Sequence, residues 1–184
     1  MKKTKSQSRR GTEKEILNLL TDYSRTLELL DQYDQHKLKK LKGKKAGFVL
    51  RSDRARQVVR EVKKILAAQK RASGIFGLER ENTFDSVVKN LYQTFNQREL
   101  YPDIESKAAH LLYLIIKDHP FVDGNKRLGS FFFIYFLDKN NYLYRADGER
   151  KINNNALTAL TLLLAASQAE EKDQLIALIT QLLK

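Results

Sequence analysis

Apolar residues recur every three or four positions at Ile16, Leu20, Tyr23, Leu27, Leu30 and Tyr33. With 3.6 residues per turn, that spacing lines one side of a helix. Thr12 with Glu15 has capping-box spacing, so the helix is predicted to start there. The stretch HKLKKLKGKKAG, residues 36–47, breaks the period and reads as a linker. A second predicted helix is capped by Ser52 and turns Val58, Val59, Val62, Ile65 and Leu66 inward. Arg54, Arg56, Arg60, Lys63 and Lys64 form its outer face, and Gly74 and Gly77 end it. A third runs from Thr83 to about Tyr92, with Phe84, Val87, Val88 and Leu91 on one side.

Residues 93–102 then read as a turn or short extended segment. Pro102 suits the first turn of the next helix, where its missing N–H is not needed. Asp103 and Glu105 complement that end of the helix dipole. Ile104, Ala108, Leu111 and Ile115 give the buried face. Pro120 must stop this helix, because the residue before a proline, His119, is pushed out of helical geometry. Leu128–Leu137 is apolar nearly all round, the pattern of a helix at the centre of a bundle. Its run Phe131–Phe136 is expected to meet other helices at every position. A turn cornered at Asp147–Gly148 leads to two closing helices, NNNALTALTLLLAASQ and KDQLIALITQLL. The predicted fold is all-α, six to eight helices with one small hairpin. The expected divisions are a disordered basic tail (1–11), a basic helical extension (12–72) and a core (73–184).

Composition sets the outer bounds. The chain has 184 residues, 42% hydrophobic and 30% charged, which is enough apolar material for a globular core. It has no cysteine, which excludes disulfides, thiol catalysis and Cys-ligated metals. There is no apolar run near the ~18 residues of a membrane span. The basic start lacks the apolar core of a leader. A cytoplasmic location is expected. The net charge of +12 is unevenly placed: residues 1–72 hold 21 Lys/Arg against 8 Asp/Glu, and residues 73–184 hold 13 against 14. The basic half reads as solvated helix faces. A nucleic-acid-binding helical module is the competing class. A nucleic-acid partner is not expected, because neither a helix-turn-helix nor aromatic–basic interleaving is present.

The chemistry concentrates in KDHPFVDGNKRLGSFFF, residues 117–133, polar hardware set in front of the greasiest segment. The start of that apolar helix offers unpaired N–H groups and a positive dipole end, which attract anions. Gly124 has no Cβ, so ligand oxygens are expected to approach its backbone, and it tolerates the positive φ of an anion nest. Asn125 is expected to donate from its side-chain amide, and Lys126 and Arg127 add positive charge, the arginine with a bidentate grip. Asp123 sits oddly in an anion-seeking loop unless Mg2+ is present, since Mg2+ is commonly held by carboxylate plus substrate phosphates. His119 titrates near neutral pH and is the candidate general base. Phe121, Val122 or both are expected to anchor the loop in the core. Together these parts suit a nucleotide di- or triphosphate and an attacking hydroxyl. An Asp118–His119 metal-hydrolase dyad is a further reading, and it lacks further histidine ligands at useful spacing.

HPFVDGNKR, residues 119–127, resembles the signature loop of the Fic/DOC family at every position. LYPDIESKAAHLLYLIIKDH resembles the helix before that loop, and QTFNQRELYP resembles a preceding flap. The chain is also similar to the Fic-type segment of RhuM-like bacterial virulence proteins. The resemblance implies an all-helical Fic-type bundle that moves AMP from ATP to a Ser, Thr or Tyr hydroxyl of a target protein, with Mg2+. It implies His119 as base, Phe121 as buried anchor and Asp123 as metal ligand. Gly124, Asn125, Lys126 and Arg127 would bind nucleotide, and Thr94, Phe95 and Leu100 would form a flap that clamps the target by strand addition. Lys126 is similar to the DOC branch, which implies a protein phosphotransferase as the alternative. That branch tends to carry alanine where this chain has Gly124. Many members carry an inhibitory Ser/Thr-x-x-x-Glu-Gly/Asn helix. Ser24…Glu28 and Ser167…Glu171 match it only in part, which leaves an antitoxin-like inhibitory partner open.

Overall fold

The computed structural model describes residues 14–39 and 42–184, so the basic tail 1–11 and the Thr12 cap lie outside the described residues. Among the described residues the fold is all-α, with a single two-stranded hairpin. The structure divides into two compact units after Lys39. In the first, helical residues 14–22 (α1) lead into α2, Ser24–Asp34. Tyr23 bonds back to Leu19, and Leu27 to Tyr23, so the ladder passes the junction. The expected single helix from Ile16 to Tyr33 is therefore nearly continuous.

The second unit holds α3 (Ser52–Ala68), α4 (Thr83–Asn90), the hairpin β1 (Thr94–Phe95) and β2 (Arg98–Glu99), α5 (Ile104–Lys117), α6 (Asn125–Lys139), α7 (Asn154–Ala166) and α8 (Lys172–Leu182). The sequence reading starts the core at residue 73, but α3 lies inside this unit. Ala55, Val58 and Val59 are buried, and Arg56 Nε grips Glu79 Oε2 at 2.9 Å. That bond holds the Glu79 carboxyl below its usual range. The unit divides earlier than composition suggested because the basic residues occupy only the outer face of α3.

The paired helices α5 and α6 form the centre. Every residue of α5 from Ile104 to Ile116 is buried except Ser106, so this helix has no solvent face. It therefore carries buried polar groups, each with a partner, as burial requires. Lys107, 2% exposed, meets Glu99 and the Tyr101 carbonyl. Glu105, 1% exposed, accepts from Lys184 Nζ at 2.6 Å, the Lys44 amide at 3.1 Å and the Tyr142 hydroxyl. Burial pushes the Glu105 carboxyl up, but these donors outweigh it and hold the group below the usual range. Burial and the same carboxylate push the Tyr142 hydroxyl up.

Three local expectations change. Ser52 is the first residue of α3, and the cap is Arg51. Pro102 precedes the helix, which is capped instead by a reciprocal Asp103–Ser106 box. Phe131 on α6 is 41% exposed, so the apolar run does not meet helices at every position. No described helix is long and apolar enough to cross a membrane.

Candidate active site

The signature loop fills the gap between α5 and α6. Pro120 ends α5, and His119 takes φ +47, the left-handed region that few side chains adopt. Its side chain is exposed, whereas Pro120 and Phe121 are buried. The Phe121 ring packs 4.7 Å from that of Phe84 on α4 and anchors the loop as expected. Val122 is 40% exposed, so the anchoring falls to Phe121.

A second segment braces the loop along its length. The Gly77 amide donates to Asp123 O at 3.0 Å, Val122 to Leu78 O at 2.8 Å, and Arg80 to Pro120 O at 2.8 Å. Phe76 thus bridges Asp123, and Glu79 bridges Phe121, as single strand-like pairs. The sequence reading took the glycines here only as a helix stop. The missed signal was a buried aromatic beside a glycine that needs positive φ: Phe76 is fully buried and Gly77 has φ +68.

Asn125 staples the turn shut. Its Oδ1 accepts from the Phe121 amide at 2.9 Å, and its Nδ2 donates to the Phe121 carbonyl at 2.7 Å. The same Nδ2 lies 3.4 Å from His119 Nδ1. The Asn125 side chain thus has a structural role in the loop, which takes one of its two amide hydrogens. The first intrahelical bond of α6 runs from the Leu128 amide to Gly124 O. The amides of Asn125, Lys126 and Arg127 before it are the orphan donors of a helix start.

Gly124 has φ +94, as an anion nest requires. An added Cβ would come within 2.3 Å of the Phe76 ring, so the missing side chain makes room for Phe76 and not for a ligand. Above that ring stands the Arg127 guanidinium, 4.5 Å from its centroid. Arg127 Nη1 also donates to Arg71 O at 2.6 Å, and Nη2 lies 3.4 Å from both Asp123 oxygens. Ser73 Oγ donates to Asp123 Oδ2 at 2.8 Å. Lys126 is exposed and, with Arg71 and Arg127, borders an open groove of about 450 Å3 floored by Val62, Leu66 and Leu157.

The hairpin lies elsewhere. Glu99 on β2 is held by Lys107 near the start of α5, whereas His119 follows its end. A rise of about 1.5 Å per residue separates Lys107 from Lys117 by about 15 Å. α4 runs the same gap in reverse, with Phe84 against Phe121 and Tyr92 beneath Lys107 Nζ at 5.6 Å. Thr94, Phe95 and Leu100 are therefore not brought to the loop, which corrects the flap expectation. Chain order puts the hairpin at the start of α5, and the length of that helix then separates it from the loop at the other end. The segment that does flank the loop is 73–81, with Ile75 50% and Leu78 53% exposed.

His119, Asp123, Gly124, Asn125, Lys126 and Arg127 do share one turn. Among the described residues no group of three or more His, Asp or Glu could hold a metal ion. An Asp118–His119 hydrolase centre therefore has no further ligands grouped with it among the described residues. The Asp123 carboxylate is partly exposed, at 35% of its side chain, and only Oδ2 has a short hydrogen bond. Its other oxygen is thus suited to a hard cation such as Mg2+.

The Fic/DOC family model matches residues 53–137, from the second residue of α3 to the last turn of α6. No curated protein and no solved structure matches the chain. The matched span contains the loop, the segment that braces it and both central helices. Residues 53–137 are a Fic/DOC-family domain, and that membership supports a Fic-type transfer role, AMP or phosphate, acting on proteins.

Proposed function

We propose that this protein transfers AMP from ATP to a side-chain hydroxyl of a target protein. The observation that carries the reading is the turn itself. Exposed His119, the half-exposed Asp123 carboxylate and the orphan amides at the start of α6 all belong to one braced loop. Catalysis of this kind is chiefly positioning and charge stabilisation. The α6 amides and Arg127 would hold the phosphates. His119 would take the proton of the target hydroxyl as its oxygen bonds to the α-phosphorus, and pyrophosphate would leave. Asp123 would hold Mg2+ together with phosphate oxygens, and the ion would neutralise developing negative charge. Exposed Ile75, Leu78 and Val122 lie beside the loop and would seat the target in place of the hairpin. ATP supply and the absence of cysteine suit a cytoplasmic protein.

Phosphoryl transfer is the second reading, favoured by one feature. Arg71, Lys126 and Arg127 gather at the groove side of the α6 start, which could hold a nucleotide in the reverse sense. ATP labelled at the α or the γ phosphate, incubated with a whole-cell protein extract, separates the two. Retention of α-label on protein supports AMP transfer, and retention of γ-label alone supports phosphotransfer. If neither label exceeds that of the His119→Ala control, both readings fail.

A further inference from the structure

We infer that the segment Arg71–Phe76 sets the working geometry of the site, with Ser73 as the positioning residue for Asp123 and Phe76 as the positioning residue for Arg127. The inference rests on the proposed nucleotide site. Neither residue belongs to the signature loop, yet three successive contacts from this segment reach two of the charged side chains of that loop, Asp123 and Arg127. Arg71 O accepts from Arg127 Nη1 at 2.6 Å, Ser73 Oγ donates to Asp123 Oδ2 at 2.8 Å, and the Phe76 ring underlies the Arg127 guanidinium.

The need for such support follows from the pair itself. Asp123 and Arg127 stand one helical turn apart, and their closest approach is 3.4 Å, a loose contact between two partly exposed groups. Exposed pairs of this kind contribute little order by themselves. Left alone, the guanidinium would be free to tighten on the carboxylate and occupy the oxygens that a cation needs. Ser73 prevents this on one side by engaging Oδ2 while leaving Oδ1 without a short bond. Arg71 O and the Phe76 face restrain the guanidinium on the other. Aromatic faces attract guanidinium cations and hold them flat, which a merely apolar side chain does not do. The backbone of the same segment is fixed to the loop by the Gly77 amide on Asp123 O, so the restraint is rigid.

The test measures Mg2+-dependent ATP binding by calorimetry, alongside thermal unfolding, in the full chain. Ser73 is exposed, so Ser73→Ala should leave the melting temperature unchanged. It should raise the Mg2+ concentration needed for half-maximal ATP binding about 10-fold, as loss of an outer-shell partner does. Ser73→Thr, which keeps the hydroxyl, should restore the wild-type value. Phe76→Leu should weaken ATP binding at saturating Mg2+ about threefold or more, and Phe76→Tyr should weaken it less. Asp123→Ala is the control. If it leaves the Mg2+ dependence intact, the proposed nucleotide site itself fails. If Asp123→Ala abolishes the dependence while Ser73→Ala and Phe76→Leu bind like wild type, only the positioning inference is overturned.

Discussion

Replacing Gly124 with alanine tests the architecture of the loop at its tightest point. Two costs act together. At φ +94 an L-residue pays about 1–2 kcal/mol relative to right-handed backbone. The new Cβ would also lie 2.3 and 2.6 Å from two carbons of the Phe76 ring. That ring is fully buried and tied through its backbone to Asp123, so relief requires moving the brace. Overpacking of this sort costs about 1–3 kcal/mol. Gly124→Ala should therefore destabilise the protein by about 2–5 kcal/mol, read as the urea midpoint at constant slope. In a chain of this size each kcal/mol lowers the melting temperature by about 2–4 °C. Phe76→Leu removes the three ring carbons beyond Cδ, the nearest contact Cε2 among them, so the double variant should recover part of the loss. A double-mutant cycle should give a favourable coupling of about 0.5–3 kcal/mol. A Gly124→Ala variant within 0.5 kcal/mol of wild type, or strict additivity with Phe76→Leu, would refute the contact. The same geometry means that an alanine here acts by displacing Phe76 and should not by itself change which phosphate is transferred.

Four further outcomes are expected. His119→Ala should lower transfer by about 10²–10⁴-fold while calorimetry finds unchanged ATP affinity. Asn125→Ala should lower both stability and ATP affinity, because it unpins both backbone groups of Phe121; intact stability would show that the staple is dispensable. Thr94→Ala and Phe95→Ala should leave transfer unchanged, whereas Leu78→Asp should raise the KM for target protein, and the opposite pattern would reinstate the hairpin as the docking element. Glu105→Ala should cost near the lower end of the about 3–5 kcal/mol lost on breaking a buried pair, because Lys184 keeps some contact with water. The Glu105 carboxyl titrates below its unfolded value near 4.3, so its contribution is complete above that pH and fades as pH falls through the folded value. The stability gap between wild type and Glu105→Gln should therefore hold from pH 7 to about 5 and close on further acidification.

The helices were legible because periodicity reports burial directly. Phe84, Val87 and Val88 line one side of a short pattern and are buried together on α4. The apolar density of Leu128–Leu137 marks the centre of the bundle, and Phe132, Phe133, Phe136 and Leu137 are buried there. The helix break at His119 was legible too, since a proline's steric demand acts on its immediate neighbour. The full burial of α5 was not legible. Its sequence carries Glu105, Lys107 and His110, residue types seldom fully buried. Lys184, 79 residues away in the chain, satisfies Glu105, and Glu99, eight residues back on the hairpin, satisfies Lys107. The helical period announces neither pairing.

The site was legible in composition and misread in division of labour. Each polar residue of the signature loop can plausibly face a phosphate, so a reading confined to the loop assigns them all to the ligand. In the folded chain a loop with a left-handed residue at each of His119 and Gly124 must first be held, and two of its members do that. The side chain of Asn125 closes the turn on itself, and the bare α-carbon of Gly124 admits the Phe76 ring. Arg127 is itself steadied from outside the loop. A short signature thus mixes groups that act on a ligand with groups that make the loop possible, and only the neighbours separate them. Here those neighbours are Arg71, Ser73 and Phe76, about 50 residues away in the chain, inside a stretch whose sequence shows a helix stop and no more.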